Sequence, residues 1–108
     1  MDAIKRITKE RKEQIQKHGQ TIALDVKHNK DGQLLQAAGH LIANHLFVDD
    51  NDAKSYHRQC LPKGWKVKNW MHMCNKPKQE RLIIAASLIA AEYDRVEEMI
   101  KIEKSKAK

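Results

Sequence analysis

His57-x-x-Cys60 followed by His72-x-Cys74 places four side chains of the kinds zinc prefers in one short stretch. A closed tetrahedral site there would order a segment that has few apolar residues of its own. The competing reading makes Cys60 and Cys74 small buried hydrophobes beneath the tryptophans, and six histidines make a mixed set easy to find by chance. The surrounding residues 54–81 hold eight basic side chains against one acid, Glu80. Lys63, Lys66, Lys68, Lys76 and Lys78, interleaved with Trp65 and Trp70, suit phosphate contacts with bases stacked on the indoles. Without a recognised DNA-reading motif, a solvated basic face is the plain alternative.

A third set of chemical groups is scattered along the chain. Arg11 and Gln14, with Glu10, interrupt the apolar row of the first predicted helix. Asp25 and His28 are three residues apart in the next connection, and Glu92, Asp94 and Arg95 close the most apolar stretch, RLIIAASLIAAEYDR. Burying such groups is costly unless they are paired or bound. Arg11, Gln14, Asp25, His28, Glu92 and Arg95 are therefore expected to meet, either as a binding site for an anionic ligand or as a network whose members only satisfy one another. Glu92 and Arg95 share a helix face, whereas Asp94 diverges by about 200 degrees from Glu92 and is expected at the surface. Asp49, Asp50 and Asp52 crowd one turn, but their spacing does not match a calcium loop.

Bulk properties limit what can hold these groups. A chain of 108 residues with 41% apolar content supports a single helical domain, placed at residues 1–100, ahead of a frayed basic tail at 101–108. Two prolines and four glycines give little punctuation for a β fold, and the strand-like runs at 21–26 and Phe47-Val48 are too short for a sheet. The expected class is all-α: a small bundle of three principal helices and one short helix, with the long C-terminal helix at its centre. The net charge of +7 suits an anionic partner or only solubility. Two cysteines give no disulfide framework, and neither an export signal nor a membrane span is evident, so a cytoplasmic, non-membrane protein is expected.

In chain order, Asp2 caps a first helix ending near His18 and Gly19. Residues 20–31 form a loop anchored by Ile22 and Leu24. Asp31 caps a second helix that buries Leu34, Leu35, Ala37, Ala38, Leu41, Ile42 and Leu46. Its small residues are matched to Ala85, Ala86, Ala90 and Ala91 of the last helix. His40 and His45, five apart, do not share a face and are read as surface histidines. A short helix from Ala53 to Cys60 is broken by Leu61-Pro62-Lys63-Gly64, and the tryptophan segment is irregular or briefly helical. Asn75 and Pro77 open the last helix. There Leu82, Ile83, Ala86, Ile89, Ala90 and Tyr93 form one apolar row and Ile84, Ala85, Leu88 and Ala91 another, so burial on both flanks is expected. Met99, Ile100 and Ile102 extend the apolar surface and make a homodimer an expectation.

ERKEQIQKHGQT, then Asp25-x-x-His28, DGQLLQAAGHLI, and WKVKNWMHMCNKPKQERLIIAASLIAAEYDR together resemble a family of small helical proteins of phages and prophages. The match spans nearly the whole of residues 10–95. That family is in turn similar to the all-α nucleotide pyrophosphohydrolases of the MazG type, in which magnesium is clamped between helix carboxylates and a nucleoside triphosphate. The Glu-Glu-x-x-Glu run of those enzymes is absent here. Gln33 also stands where the phage family carries a glutamate. The resemblance implies a phage or prophage accessory protein that acts by binding a nucleotide, nucleic acid or host protein. The two alternatives are a magnesium-dependent pyrophosphohydrolase and a basic nucleic-acid-binding module.

Overall fold

The computed structural model describes residues 2–43 and 50–106, and these form six α-helices with no strand among them. The helices are α1 (Ala3–Gln16), α2 (Ile22–His28), α3 (Gln33–Ala43), α4 (Asp50–Gln59), α5 (Val67–Cys74) and α6 (Lys78–Lys106). The all-α class is as the sequence leads one to expect, and α6 is the axis of the bundle. α3, α1 and α2 each pack along α6, α5 touches it, and α4 lies on α5. His45, Leu46, Phe47, Val48 and the acids Asp49, Asp50 and Asp52 fall outside the described side chains.

The core joins the small-residue face of α3 to one row of α6. Leu34, Ala37, Ala38 and Leu41 meet Ile84, Ala85, Leu88 and Ala91, and Trp70 and Cys74 of α5 close the cluster. Alanine on both helices permits this close approach, because a methyl group holds the backbones apart less than a branched side chain does. Only one of the two expected rows of α6 is covered. Leu82, Ile89 and Tyr93 are exposed, as are Val96 and Ile100 further along. Leu35 and Ile42 of α3 are likewise exposed. Helical periodicity fixes the azimuth of a side chain, and the five shorter helices among the described residues supply too little surface to cover every apolar azimuth of α6.

Local signals explain most boundaries. The Asp2 carboxylate accepts from the Lys5 N–H at 2.9 Å and caps α1. Gly19, at φ +66°, turns the chain after α1 in the left-handed conformation that glycine tolerates. The expected loop at 20–31 instead contains α2. Thr21 caps it by accepting from the Leu24 N–H at 3.3 Å, and its buried residues are polar, so it has no apolar stripe to betray it. Ile22 and Leu24 are exposed rather than anchoring the segment; Asp25 and Asn29 are the buried pair.

Asp31 does not cap α3. Gly32, at φ +84°, provides the first helical carbonyl, and the Gln33 side chain reaches back to accept from the Asp31 N–H at 2.8 Å. The tryptophan segment is helical as α5, and Asn75 ends that helix rather than starting the next, its N–H bonding the Met71 carbonyl. α6 remains helical to Lys106, past the expected onset of fraying. The three-plus-one helix count is thus replaced by six among the described residues.

Candidate functional site

Two buried clusters of chemical groups flank the core, one between α1, α2 and α6 and one between α3, α4 and α5. In the first, Arg95 grips Glu92 on the same face of α6: its Nε donates to both carboxylate oxygens at 3.0 and 3.1 Å, and its Nη2 to Oε1 at 2.5 Å. Arg11 of α1 donates from Nη2 to Asp94 Oδ2 at 3.2 Å. Asp94 is therefore a partner within the cluster and not a bare surface residue. Its rotation away from Glu92 aims it at α1, which runs alongside α6.

Asp25 is almost wholly buried and accepts from Asn29 Nδ2 at 2.8 Å, one helical turn on. Asn29 in turn accepts from Trp65 Nε1 at 2.8 Å, which ties α2 to the segment before α5. Burial pushes the Asp25 carboxyl above the ordinary carboxylate range, and the nearby Glu92 adds to this; Asn29, Arg11 and Arg95 pull the other way without cancelling it. Glu92 holds the Arg95 guanidinium more firmly protonated still. Within the protein, Asp25 Oδ2 and the Nε and Nη1 of Arg11 have no hydrogen-bond partner.

Of the residues expected to meet, Arg11, Asp25, Glu92 and Arg95 are brought together. His28 is exposed at the C-terminal end of α2, and its carbonyl accepts from Gln33 Nε2 at 3.1 Å. Gln14 is half-buried on α1, where its carbonyl accepts from the Gln20 N–H at 2.9 Å. Asn29 was not legible as a member, since its role depends on α2 being a helix at all.

The basic segment divides differently from expectation. Trp70 is 0% exposed and donates from Nε1 to the His57 carbonyl at 2.7 Å, so it cannot stack on a base. Trp65 is half-buried, packed edge-on against Trp70 and fixed to Asn29. Both indoles are structural because they supply the large apolar volume that this end of the molecule lacks. Lys66, Lys68 and Lys78 are exposed; Lys63 lies 3.7 Å from Asp31 and Lys76 3.7 Å from Glu80.

The second cluster replaces the expected His57, Cys60, His72 and Cys74 set. His40 of α3, His57 of α4 and Cys74 of α5 are all buried, and one ligand atom from each lies within 4.8 Å of the others. His40 Nε2 and His57 Nδ1 are 2.6 Å apart. His72 is exposed and takes no part, because α5 turns it away from Cys74. Cys60 is half-buried beside the cluster and lines an open groove with His40, Gly39 and Tyr56.

His40 is held neutral, pushed down to about 4 by burial, by His57 and by Arg81. His57 is lowered by burial and by Arg81. Burial and Cys60 push the Cys74 thiol up to about 12, against the pull of Arg81. Arg81 spends its guanidinium on backbone, donating to the Leu41 carbonyl at 2.7 Å and the Lys76 carbonyl at 3.0 Å. His40 is the residue that sequence reasoning placed wrongly. Its spacing from Ala37 and Leu41 puts it on the buried face of α3, and that was the available signal.

No helix of the described residues is long and apolar enough to cross a membrane. Comparison with family models, with curated proteins and with solved structures gives no match.

Proposed function

We propose that the protein acts by binding rather than by turnover, and that the partner is a protein: a second copy of this chain docked along α6. The observation that carries this reading is the uncovered row of α6. Leu82, Ile89, Tyr93, Val96 and Ile100 are all at least 42% exposed. With Ala86 they repeat at alternating steps of four and three residues, the spacing that keeps one seam facing a partner helix. The row spans about 27 Å at 1.5 Å per residue. It lies on a face distinct from the buried row at Ile84, Leu88 and Ala91, so the core does not compete for it. Contiguous apolar surface of this kind marks an interaction site rather than an ordinary solvated face.

The magnesium-clamp alternative is disfavoured by how the carboxylates are used. Glu92 is engaged on both oxygens by Arg95, and Asp94 is paired with Arg11. Gln33 offers an amide, itself committed to the Asp31 N–H and the His28 carbonyl. A base-stacking nucleic-acid module is disfavoured by the burial of Trp70. Assignment to the accessory proteins of phages or prophages rests on the sequence resemblance alone. The direct test is substitution within the seam: Ile89→Glu with Tyr93→Glu should convert a dimer to a monomer that keeps its helical circular dichroism. A wild-type chain that is already monomeric overturns the proposal.

A further inference from the structure

α4 is attached to the rest of the molecule in an unusual way. His57 is the one buried side chain among its described residues 54–59, so that part of the helix presents no apolar stripe to hold it down. That histidine points to where two other helices deliver His40 and Cys74. We propose that His40 Nε2, His57 Nδ1 and Cys74 Sγ bind a zinc ion, with Cys60 Sγ from the adjoining groove as the fourth ligand. This goes beyond the α6 docking reading and does not depend on it.

The geometry is close to what such a site needs. Zinc bonds of about 2.0 Å to nitrogen and about 2.3 Å to sulfur set tetrahedral donors roughly 3.3–3.8 Å apart. The three donors already lie within 4.8 Å of one another, and the 2.6 Å contact of the two imidazoles has to open by less than about 1 Å. Two imidazoles and two thiols favour zinc over magnesium or calcium, which take oxygen ligands.

Charge selects Cys60 as the fourth ligand, its Sγ lying outside the 4.8 Å set and having to swing in from the groove. Two thiolates neutralise the ion, whereas one would leave a buried net positive charge near Arg81. On binding, each thiol gives its proton to solvent, and whichever imidazole donates in the His40–His57 hydrogen bond shifts that proton to its other ring nitrogen, so that His40 Nε2 and His57 Nδ1 both offer a lone pair.

The surroundings already hold the ligands in orientation. Tyr56 stacks on His40 with ring centroids 5.2 Å apart. Gln36 Nε2 donates to the Cys60 carbonyl at 3.1 Å, and Trp70 holds the His57 carbonyl. Such outer contacts fix ligand direction in metal sites. The ion would join α3, α4 and α5 at one point, and its binding free energy would serve as folding free energy for a region short of apolar surface.

The test uses the full chain, reduced, free of any tag and stripped of metal. Added cobalt(II) should give the intense visible bands of a tetrahedral site with thiolate charge transfer, displaced by one equivalent of zinc per chain. His40→Ala and Cys74→Ser should each weaken zinc binding by more than about 100-fold, since losing outer contacts alone costs about 10- to 100-fold. Cys60→Ser should lose part of the charge-transfer intensity, and His72→Ala should bind as the wild type does. Because the ligand variants can misfold, wild-type melting is the independent reading: equimolar zinc should raise Tm. A pale octahedral cobalt spectrum, an unchanged Tm, or loss of binding on His72→Ala overturns the site.

Discussion

Arg11 and Asp94 lie 83 residues apart in sequence and 3.2 Å apart in space, and their pairing links α1 to the far half of α6. α1 buries no residue completely, so polar contacts matter more to its docking than to that of α3. Ser87 adds a second stitch, its hydroxyl donating to the Ile83 carbonyl at 3.0 Å and lying 3.4 Å from the Ile7 carbonyl.

The two ion pairs of this cluster should differ in what they contribute. Asp94 is 37% exposed but its partner Arg11 only 12%, so the pair is partly screened, and Asp94→Asn should cost about 1–2 kcal/mol, less than the loss at Glu92. Glu92 and Arg95 are 11% and 14% exposed, and Glu92→Gln leaves a buried guanidinium uncompensated, at a cost of about 3 kcal/mol or more. Urea unfolding of both variants checks the order. Equal losses would mean that the bidentate pair is solvated in solution.

Asp25 should weaken the fold at neutral pH. Its carboxyl holds a proton more tightly in the folded state than in the unfolded one. The folded chain therefore binds more protons between the unfolded value and the raised one, and stability falls as pH rises through that window. Asp25→Asn keeps an acceptor for Asn29 and removes the charge. Its Tm should exceed that of the wild type at pH 7, and the gap should close as pH drops toward about 4. A variant that melts lower than the wild type at pH 7 would show that the attraction of Arg11 and Arg95 for the ionised carboxylate outweighs its burial.

The exposed lysines leave a weaker mode of nucleic-acid contact, through phosphate alone. Single-stranded DNA, if bound, should be released steeply as salt rises, with no preference among bases. Neutralising Lys66 and Lys68 together should reduce the salt slope by about 1.4–2. Fluorescence titration across salt concentrations measures this. Binding that survives high salt, or quenching of Trp70 by bases, would contradict the buried position of that indole.

What the sequence made legible, and what it did not, follows one physical line. Ala37 and Ala38 of α3 with Ala85 and Ala91 of α6, the Asp2 cap and the turn at Gly19 are signals local to one helix or face, and they appear where expected, whereas Ala86 and Ala90 are only half-buried. Long helices with apolar rows declare themselves through period. α2 did not, because seven residues carry barely two turns and its buried face is Asp25 with Asn29. The spacing of His40 from His45 in the sequence says nothing of His57, the histidine that His40 meets from another helix. Asp94 was judged by its angle from Glu92, although what lay at that angle was α1. Leu82, Ile89 and Tyr93 do share one apolar row, but they are exposed, because a row does not say what covers it. In each case the missing information was which helix stands opposite.

That uncovered row is where the account is most exposed to test. Sedimentation equilibrium of the wild-type chain, over concentrations from low micromolar upward, reads its state of assembly directly. The α6 seam predicts twice the 12.5 kDa chain mass at the higher concentrations, with dissociation on Ile89→Glu and Tyr93→Glu. A single species of chain mass throughout, with those substitutions without effect on it, would contradict the proposed function.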